Sequence, residues 1–247
     1  MADKMELLPL PFEEAIQYFR SRILLTKEEF LALENEVRAQ AFTVAGITAL
    51  EILRDIQTAL EAAIADGTTL EDFRAQANEI LARRGWRGLT PYQADNVFRT
   101  NLQTAYNVGR YKQMTDPDVI SRRPYWQYDA VNDRRTRPSH RAMDGRVWPA
   151  NHPIWDTWYP PNGFRCRCSV RSLSQEDVDR MGLTVEAEIP QMVQTRDGIS
   201  QALLPDPGWG YNPGKAAWQP DLTKFPPDLR AAYERRKKTF KRPLGAV

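Results

Sequence analysis

The stretch HRAMDGRVWPANHPIWDTWYPPNGFRCRCSV, residues 140–170, contains both histidines and both cysteines of the 247-residue chain. These residues are His140, His152, Cys166 and Cys168. Three interpretations account for the clustering: a metal site, a catalytic centre, or buried side chains that only pack. In a small domain with short strands, a bound ion supplies stability that a limited hydrophobic core cannot provide.

The spacing of the two cysteines favours the metal site. In a strand, residues i and i+2 share a face, so Cys166 and Cys168 would present both sulfurs to one side. Together with His140 they provide three ligands of a tetrahedral zinc ion, and thiolates select zinc over magnesium or calcium. Asp133, His152 and water are the candidates for the fourth position. The sequence therefore predicts a zinc site at His140, Cys166 and Cys168, with Asp133 as the first choice for the fourth ligand.

Two alternatives remain open for the same residues. Cys166 and Cys168 can be small buried side chains on a strand, with His140 hydrogen-bonded nearby. A catalytic set of one cysteine, His140 and Asp133 can also be drawn, but no oxyanion-stabilising group is visible beside it. We therefore expect a protein that is not an enzyme, and we keep a metal-dependent nuclease or hydrolase as the alternative.

Length and composition are those of a globular protein. With 247 residues, 42% of them hydrophobic, the chain can bury a core as one large domain or two modest ones. No apolar run is long enough to span a membrane, and the first residues lack the pattern of a signal peptide. We expect a cytoplasmic protein with reduced thiols. A disulfide between Cys166 and Cys168 is disfavoured, because their Cα atoms in an extended segment lie roughly 6.6 Å apart, near the upper limit for a bridge.

The first 116 residues have the apolar periodicity of helices, as at Phe12, Ile16, Phe19 and Ile23. The pattern predicts helices near residues 12–24, 27–44, 48–66, 69–84 and 91–115. Capping boxes are expected at Thr26–Glu29, Thr48–Glu51, Thr68–Glu71 and Thr90–Gln93. Gly67 and Gly85 lie where helices end on a residue with positive φ.

The pattern changes after Asp116, and six of the seven tryptophans lie in the second half. Strand-like runs occur at Tyr125–Val131, Arg146–Trp148 and Arg165–Ser172, and a short helix is expected from Ser174. Residues 204–227 are proline-rich and predict an extended arm, for which we favour contact with a neighbouring subunit. A last helix is expected at Asp228–Lys241. The tryptophans between 148 and 158 either fill the core of the small domain or anchor a partner.

The predicted fold class is α+β. An all-helical domain covers residues 1–116, and a small mixed α/β domain with short strands covers 117–203. The extended arm and a basic C-terminal helix occupy 204–247. The net charge of +2 does not by itself indicate nucleic-acid binding. The basic tail is either a solvated helix end or a DNA-contacting patch formed by Arg235, Arg236, Lys237, Lys238, Lys241 and Arg242.

Several sequence elements match a known pattern. They are Asp133, the R-x-x-H run Arg137–His140, Asp144–Gly145, Trp155, the PPNG run at 160–163 and Cys166–Arg167–Cys168. Residues 123–170 thereby closely resemble the phage Mu protein F-like family, the minor head or head morphogenesis proteins of tailed phages and prophages. FRTNLQTAYNVGRYKQM at 98–114 resembles the helix that leads into that domain. PFEEAIQYFR, AFTVAG, GTTLEDFR and GWGYNPGKA extend the resemblance over most of residues 11–217.

The resemblance implies a role rather than a reaction. It implies a low-copy capsid protein of the virion, assembled in the host cytoplasm and associated with the portal, the major capsid protein or the packaged DNA. No membrane partner is implied. Many distant relatives carry a histidine just before the CRC element. Here that place reads Asn162–Gly163–Phe164–Arg165, so Asp133 or solvent must complete any zinc site.

Overall fold

A computed structural model describes residues 12–194 and 200–240. The first half is built from helices and one short parallel strand pair. Its elements are α1 (Glu13–Ser21), β1 (Ile23–Leu24), α2 (Lys27–Leu31), a 3₁₀ turn (Val37–Gln40), β2 (Ala41–Phe42), α3 (Leu50–Asp66), α4 (Leu70–Arg83) and α5 (Pro91–Met114). Helices α1, α3, α4 and α5 share one hydrophobic cluster.

Helix α5 organises this half. It begins with the predicted capping box, in which the Thr90 hydroxyl accepts from Gln93 N–H and the Gln93 side chain accepts from Thr90 N–H. Its 24 residues make it the longest helix of the described residues. Helix α1 crosses it at Gly109, where a Cβ atom would lie 2.8 Å from the backbone nitrogen of Ala15. A side chain at that position would force the two helices apart.

Three details of the helical half differ from the sequence-based expectation. The helix predicted at 27–44 ends at Leu31, because the chain then turns into a 3₁₀ segment and β2, which pairs with β1. Helix α3 starts after Ala49 without a side-chain cap, so the box predicted at Thr48 is wrong. Helix α4 is capped by Thr69, which accepts from Asp72 N–H, rather than by Thr68. The box at Thr26–Glu29 and the positive φ of Gly67 and Gly85 are confirmed.

The second half is a small antiparallel sheet with short helices around it. Its elements are α6 (Pro117–Arg122), β3 (Tyr125–Asp129), α7 (Pro138–Met143), β4 (Val147–Pro149), α8 (Ile154–Trp158), β5 (Ser169–Leu173) and α9 (Gln175–Arg180). Strand β3 lies between β4 and β5, with Trp126 opposite Trp148 on one side and Ser172 on the other. The α+β class is confirmed, whereas the domain boundaries at 116 and 203 stay predictions.

The tryptophans of this half form its core. Trp126, Trp148, Trp155 and Trp158 are all buried. The Trp155 ring meets Trp126 and Trp148 at tilted and edge-to-face angles, with centroids 5.6 and 5.8 Å apart. Tyr159 and Tyr128 extend the same cluster. The interpretation of these rings as core, rather than as a docking surface, is therefore confirmed.

The C-terminal stretch lies along its own chain. After the hairpin β6 (Met192–Gln194) and β7 (Ser200–Ala202) come α10 (Pro213–Trp218), a 3₁₀ turn (Leu222–Lys224) and α11 (Pro227–Phe240). The Gln40 side chain donates to the Ala216 and Ala217 carbonyls, and Leu229 of α11 joins the cluster around β1. The extended arm predicted for residues 204–227 is wrong in part, because α10 and a 3₁₀ turn lie within it and the rest is irregular. The contacts of Gln40 and Leu229 lie within the chain, and contact with a neighbouring subunit stays a prediction. Among the described residues, no helix is both long and apolar enough to cross a membrane.

Candidate metal centre

The cluster predicted from the sequence is assembled by two segments of the second half. His140 lies on α7, while Cys166 and Cys168 lie just before β5. The strand expected at Arg165–Ser172 begins only at Ser169, because Arg165 has a positive φ and Cys166 N–H closes a turn to the Gly163 carbonyl. The two sulfurs nevertheless point to the same place, since each contacts the imidazole of His140.

The distances fit a tetrahedral ion. Nδ1 of His140 lies 3.6 Å from Sγ of Cys166 and 3.5 Å from Sγ of Cys168. Zinc binds sulfur at about 2.3 Å and imidazole nitrogen at about 2.0–2.1 Å, so tetrahedral angles separate these donors by about 3.6 Å. The three ligand atoms all lie within 4.8 Å of one another. The arrangement matches three vertices of a zinc tetrahedron.

The two thiols shift each other's pKa in opposite directions. The hydrogen bond from Cys168 lowers the pKa of Cys166 well below its ordinary value, against the effect of burial, and His140 and the Asn162 backbone N–H add to this. The same hydrogen bond, together with burial, raises the pKa of Cys168. A metal ion that takes both sulfurs as thiolates would displace the proton of Cys168, so metal binding would release it to solvent.

His140 is buried, and one of its two ring nitrogens faces the cysteines. His140 is only 2% exposed, and its Nε2 has no hydrogen-bond partner among the described residues. The edge of this imidazole meets the ring of Trp158. An imidazole bound to a metal through Nδ1 carries its proton on Nε2, so an ion would fix the tautomer of His140 but would leave Nε2 without a partner among the described residues.

Asp133 lies outside the cluster. Its two carboxylate oxygens accept hydrogen bonds of 2.6 and 2.7 Å from the guanidinium of Arg167, and its Oδ1 accepts another from Arg135 N–H. The bond from Arg167 holds the pKa of Asp133 well below its usual range. The structure thus places Asp133 in a paired ionic contact that connects the α7 segment to the CRC element. Arg167, between the two cysteines, makes this contact rather than joining the cluster.

His152 does not join the cluster either. Its Nε2 contacts the Ala187 carbonyl at 3.2 Å, and its ring stacks on Trp148. Two residues that sequence reasoning missed do border the cluster. The buried Tyr128 hydroxyl donates to Oδ1 of Asn162 at 3.0 Å, and Asn162 in turn donates to the Thr157 carbonyl. Burial first, then the charge on the two thiols, raises the pKa of Tyr128 well above its ordinary value, so its hydroxyl stays protonated.

The predicted DNA-contacting residues are only partly described. Arg235 lies on α11, and the backbone of Arg236, Lys237 and Lys238 continues that helix. Lys241 and Arg242 lie outside the described residues. The DNA-contacting patch therefore stays a prediction.

Comparison with protein families places the cluster of His140, Cys166 and Cys168 inside a segment that matches a family model. Residues 54–171, from α3 to β5, match the model of the family described as phage Mu protein F like protein. The chain is a member of the phage Mu protein F-like family. The match contains His140, Cys166 and Cys168, and the resemblance seen in the sequence is confirmed.

Two curated relatives extend the match. A protein named for capsid assembly, protein F of Escherichia phage Mu, is 33% identical over 86% of this chain and 56% of its own length. The Mu-like prophage FluMu F protein of Haemophilus influenzae is 36% identical over 76% of this chain and 53% of its own length. The chain spans about half the length of both relatives. An uncharacterised protein of Methanocaldococcus jannaschii is 33% identical over 29% of this chain and 10% of its own length. No solved structure matches the chain significantly.

Proposed function

We propose that this member of the Mu protein F-like family is a minor head protein that acts in phage head assembly by binding other head components. The observation that carries the proposal is the 33% identity, over 86% of this chain, to the phage Mu protein named for capsid assembly. The natural partners are the portal protein and the major capsid protein, with a few subunits in each head. The protein would be made in the host cytoplasm and retained in the virion.

We further propose that His140, Cys166 and Cys168 hold one structural zinc ion. The donor set of two thiolates and one imidazole suits zinc, and the distances fit its coordination geometry. Because Asp133 is engaged by Arg167, a water molecule is the better candidate for the fourth ligand. The ion would join α7 to the segment before β5 and so fix the long loop between them.

Burial argues for a structural ion rather than a catalytic one. The three ligand residues are each at most 3% exposed, so a phosphodiester or a peptide has no path to the ion in this conformation. A metal-dependent nuclease or hydrolase would need such a path. This geometry favours binding as the mode of action.

The test of the assembly role is the composition of heads. Phage lacking this protein should still form shells but yield fewer infectious particles, and wild-type protein supplied in trans should enter heads at low copy number and restore infectivity. Arg141→Ala is a suitable single-site variant, because the Arg141 guanidinium makes its hydrogen bond to the Asp133 carbonyl within this chain. If folded Arg141→Ala protein enters heads at normal copy number yet leaves them non-infectious, a reaction rather than assembly is indicated.

A third proposal concerns the packaged DNA. The basic C-terminal residues Arg235, Arg236, Lys237 and Lys238 would contact phosphates, so their replacement by glutamine should weaken DNA binding and flatten its dependence on salt concentration. Substitution is preferable to truncation after Pro227, because truncation would remove Leu229 from the hydrophobic cluster around β1. The measurement is the DNA dissociation constant at several salt concentrations. If the variant with all four residues replaced binds DNA with unchanged affinity and unchanged salt dependence, the tail is only a solvated helix end.

A further inference from the structure

A second site of interest is a cavity beside α5. It has a volume of about 340 Å³ and lies between α2, α5 and residues 207–211, outside the metal centre. Phe30 and Leu31 form one wall, and Phe164 and Trp209 form the facing wall. Cavities of this size with a few fixed polar groups are typical of binding sites.

The rim of this cavity is apolar and open to solvent. Leu31 is 55% exposed and Phe164 is 57% exposed, so two large apolar side chains face solvent at one opening. The Phe164 ring meets Trp209 edge to face, with centroids 5.0 Å apart. Exposed apolar residues gathered around a concavity mark protein interaction sites, and aromatic rings are the usual anchors there.

The charge of the cavity is positive. Lys27 and Arg38 line it, whereas none of the lining residues is an aspartate or a glutamate. The Arg38 guanidinium donates to the Phe30 and Leu31 carbonyls, which carry no charge to balance its own. An occupant with negative charge would therefore be favoured over a neutral one.

The cavity also holds an unsatisfied polar group. The Thr43 hydroxyl oxygen is buried beside it and has no hydrogen-bond partner among the described residues. Buried hydroxyls normally have a partner, so a bound group with a hydrogen-bonding atom would satisfy Thr43.

We propose that this cavity binds an acidic peptide segment of another head component, with an aliphatic or aromatic side chain of that segment inserted between Leu31 and Phe164. Only the location of the partner, in the phage head, rests on the proposed assembly role. Phe164, which lines the cavity, lies two residues before Cys166 of the candidate metal centre. The Arg137 guanidinium donates to the Phe164 carbonyl.

A pair of fluorescent dyes tests the cavity directly. Anilinonaphthalene sulfonate combines an aromatic body with a negative charge, and phenylnaphthylamine has the same body without the charge. The folded wild-type protein should bind about one sulfonate dye per chain, more tightly than the uncharged dye. Phe164→Ser and Leu31→Ser should each weaken the binding of both dyes by about tenfold, which is the effect of removing one anchor side chain. Lys27→Glu should weaken the binding of the sulfonate dye and leave the binding of the uncharged dye unchanged.

Met192→Ser is the matched control, because Met192 is equally exposed, at 56%, but lies on the β6–β7 hairpin. It should bind both dyes as the wild type does. Failure of the wild type to bind, unchanged binding in both Phe164→Ser and Leu31→Ser, or a preference for the uncharged dye would overturn the proposal.

Photo-crosslinking from position 31 in assembling heads identifies the natural occupant. The proposal expects a crosslink to an acidic segment of another head protein, and a crosslink to a basic segment or to a second copy of this chain contradicts it. If Phe164→Ser protein loses the dye yet enters heads and restores infectivity fully, the docking role fails while the assembly role stands. If wild-type protein never enters heads, the assembly role fails and the dye measurements still decide the cavity.

Discussion

Replacing Cys166 and Cys168 together with serine should abolish zinc binding and lower the free energy of unfolding by about 4 kcal/mol, the contribution of an ion present at roughly a thousand times its dissociation constant. The reason is that the ion joins two segments 26 residues or more apart in sequence, His140 on α7 and the residues before β5. In a chain of this length the loss corresponds to a fall in melting temperature of about 10 °C.

A chelator separates loss of the ion from loss of packing. Treating wild-type protein with a chelator should bring its melting temperature down towards that of the Cys166→Ser/Cys168→Ser variant, whereas the variant itself should not respond. Tyr125→Phe is a suitable control, because it removes one hydroxyl from the same sheet at an exposed hydrogen bond to Gln175. A chelator that leaves the wild-type melting curve unchanged would show that the two thiols and the imidazole only pack.

Gly214→Ala should destabilise the protein by about 3 kcal/mol, as overpacking of a well-filled contact does. Gly214 lies on α10 against α5, and a Cβ atom there would overlap Cβ and Cγ of Tyr111. Tyr111 cannot easily move aside, since its ring is held edge-on by Trp126 and Tyr159. The helical preference of alanine over glycine, about 1 kcal/mol, offsets only part of this cost.

Gly210→Ala supplies the matched control for that substitution. The nearest atom to a Cβ at Gly210 is the Thr157 methyl carbon at 3.8 Å, an ordinary contact distance. Chemical denaturation of both variants gives the comparison. Equal stabilities for Gly214→Ala and Gly210→Ala would mean that α10 does not pack against α5 in solution, and the account of the C-terminal stretch would then be wrong.

The sequence predicts a structural feature correctly where that feature depends only on residues close together in the chain. The Thr90–Gln93 box and the glycine at position 67 act within one helical turn, and both were predicted correctly. The helix expected at 27–44 was wrong because β2 pairs with β1. Helical periodicity reflects neighbours within a few residues and cannot predict a pairing between distant strands. Thr68 and Thr69 are adjacent and both carry a hydroxyl that can cap a helix, so the sequence alone does not decide at which of them α4 begins.

The candidate site was predicted from the rarity of its ligands and from the spacing of its two cysteines. His140, Cys166 and Cys168 attracted attention as the chain's scarce soft ligands, and the structure brings them together although the cysteines precede the strand. Asp133 was an equally reasonable ligand in the sequence, but its pairing with Arg167 is a contact between distant residues. The contact between Tyr128 and Asn162 also joins distant residues, so the PPNG run that contains Asn162 does not predict it.

The most direct test of the metal centre is X-ray absorption at the zinc edge on protein purified without chelator. The account predicts about one zinc per chain, with two sulfur neighbours at about 2.3 Å and one imidazole nitrogen at about 2.0–2.1 Å. The remaining neighbour should be an oxygen that persists in Asp133→Asn protein. A metal-free protein, or a zinc shell of nitrogen and oxygen without sulfur, would contradict the account.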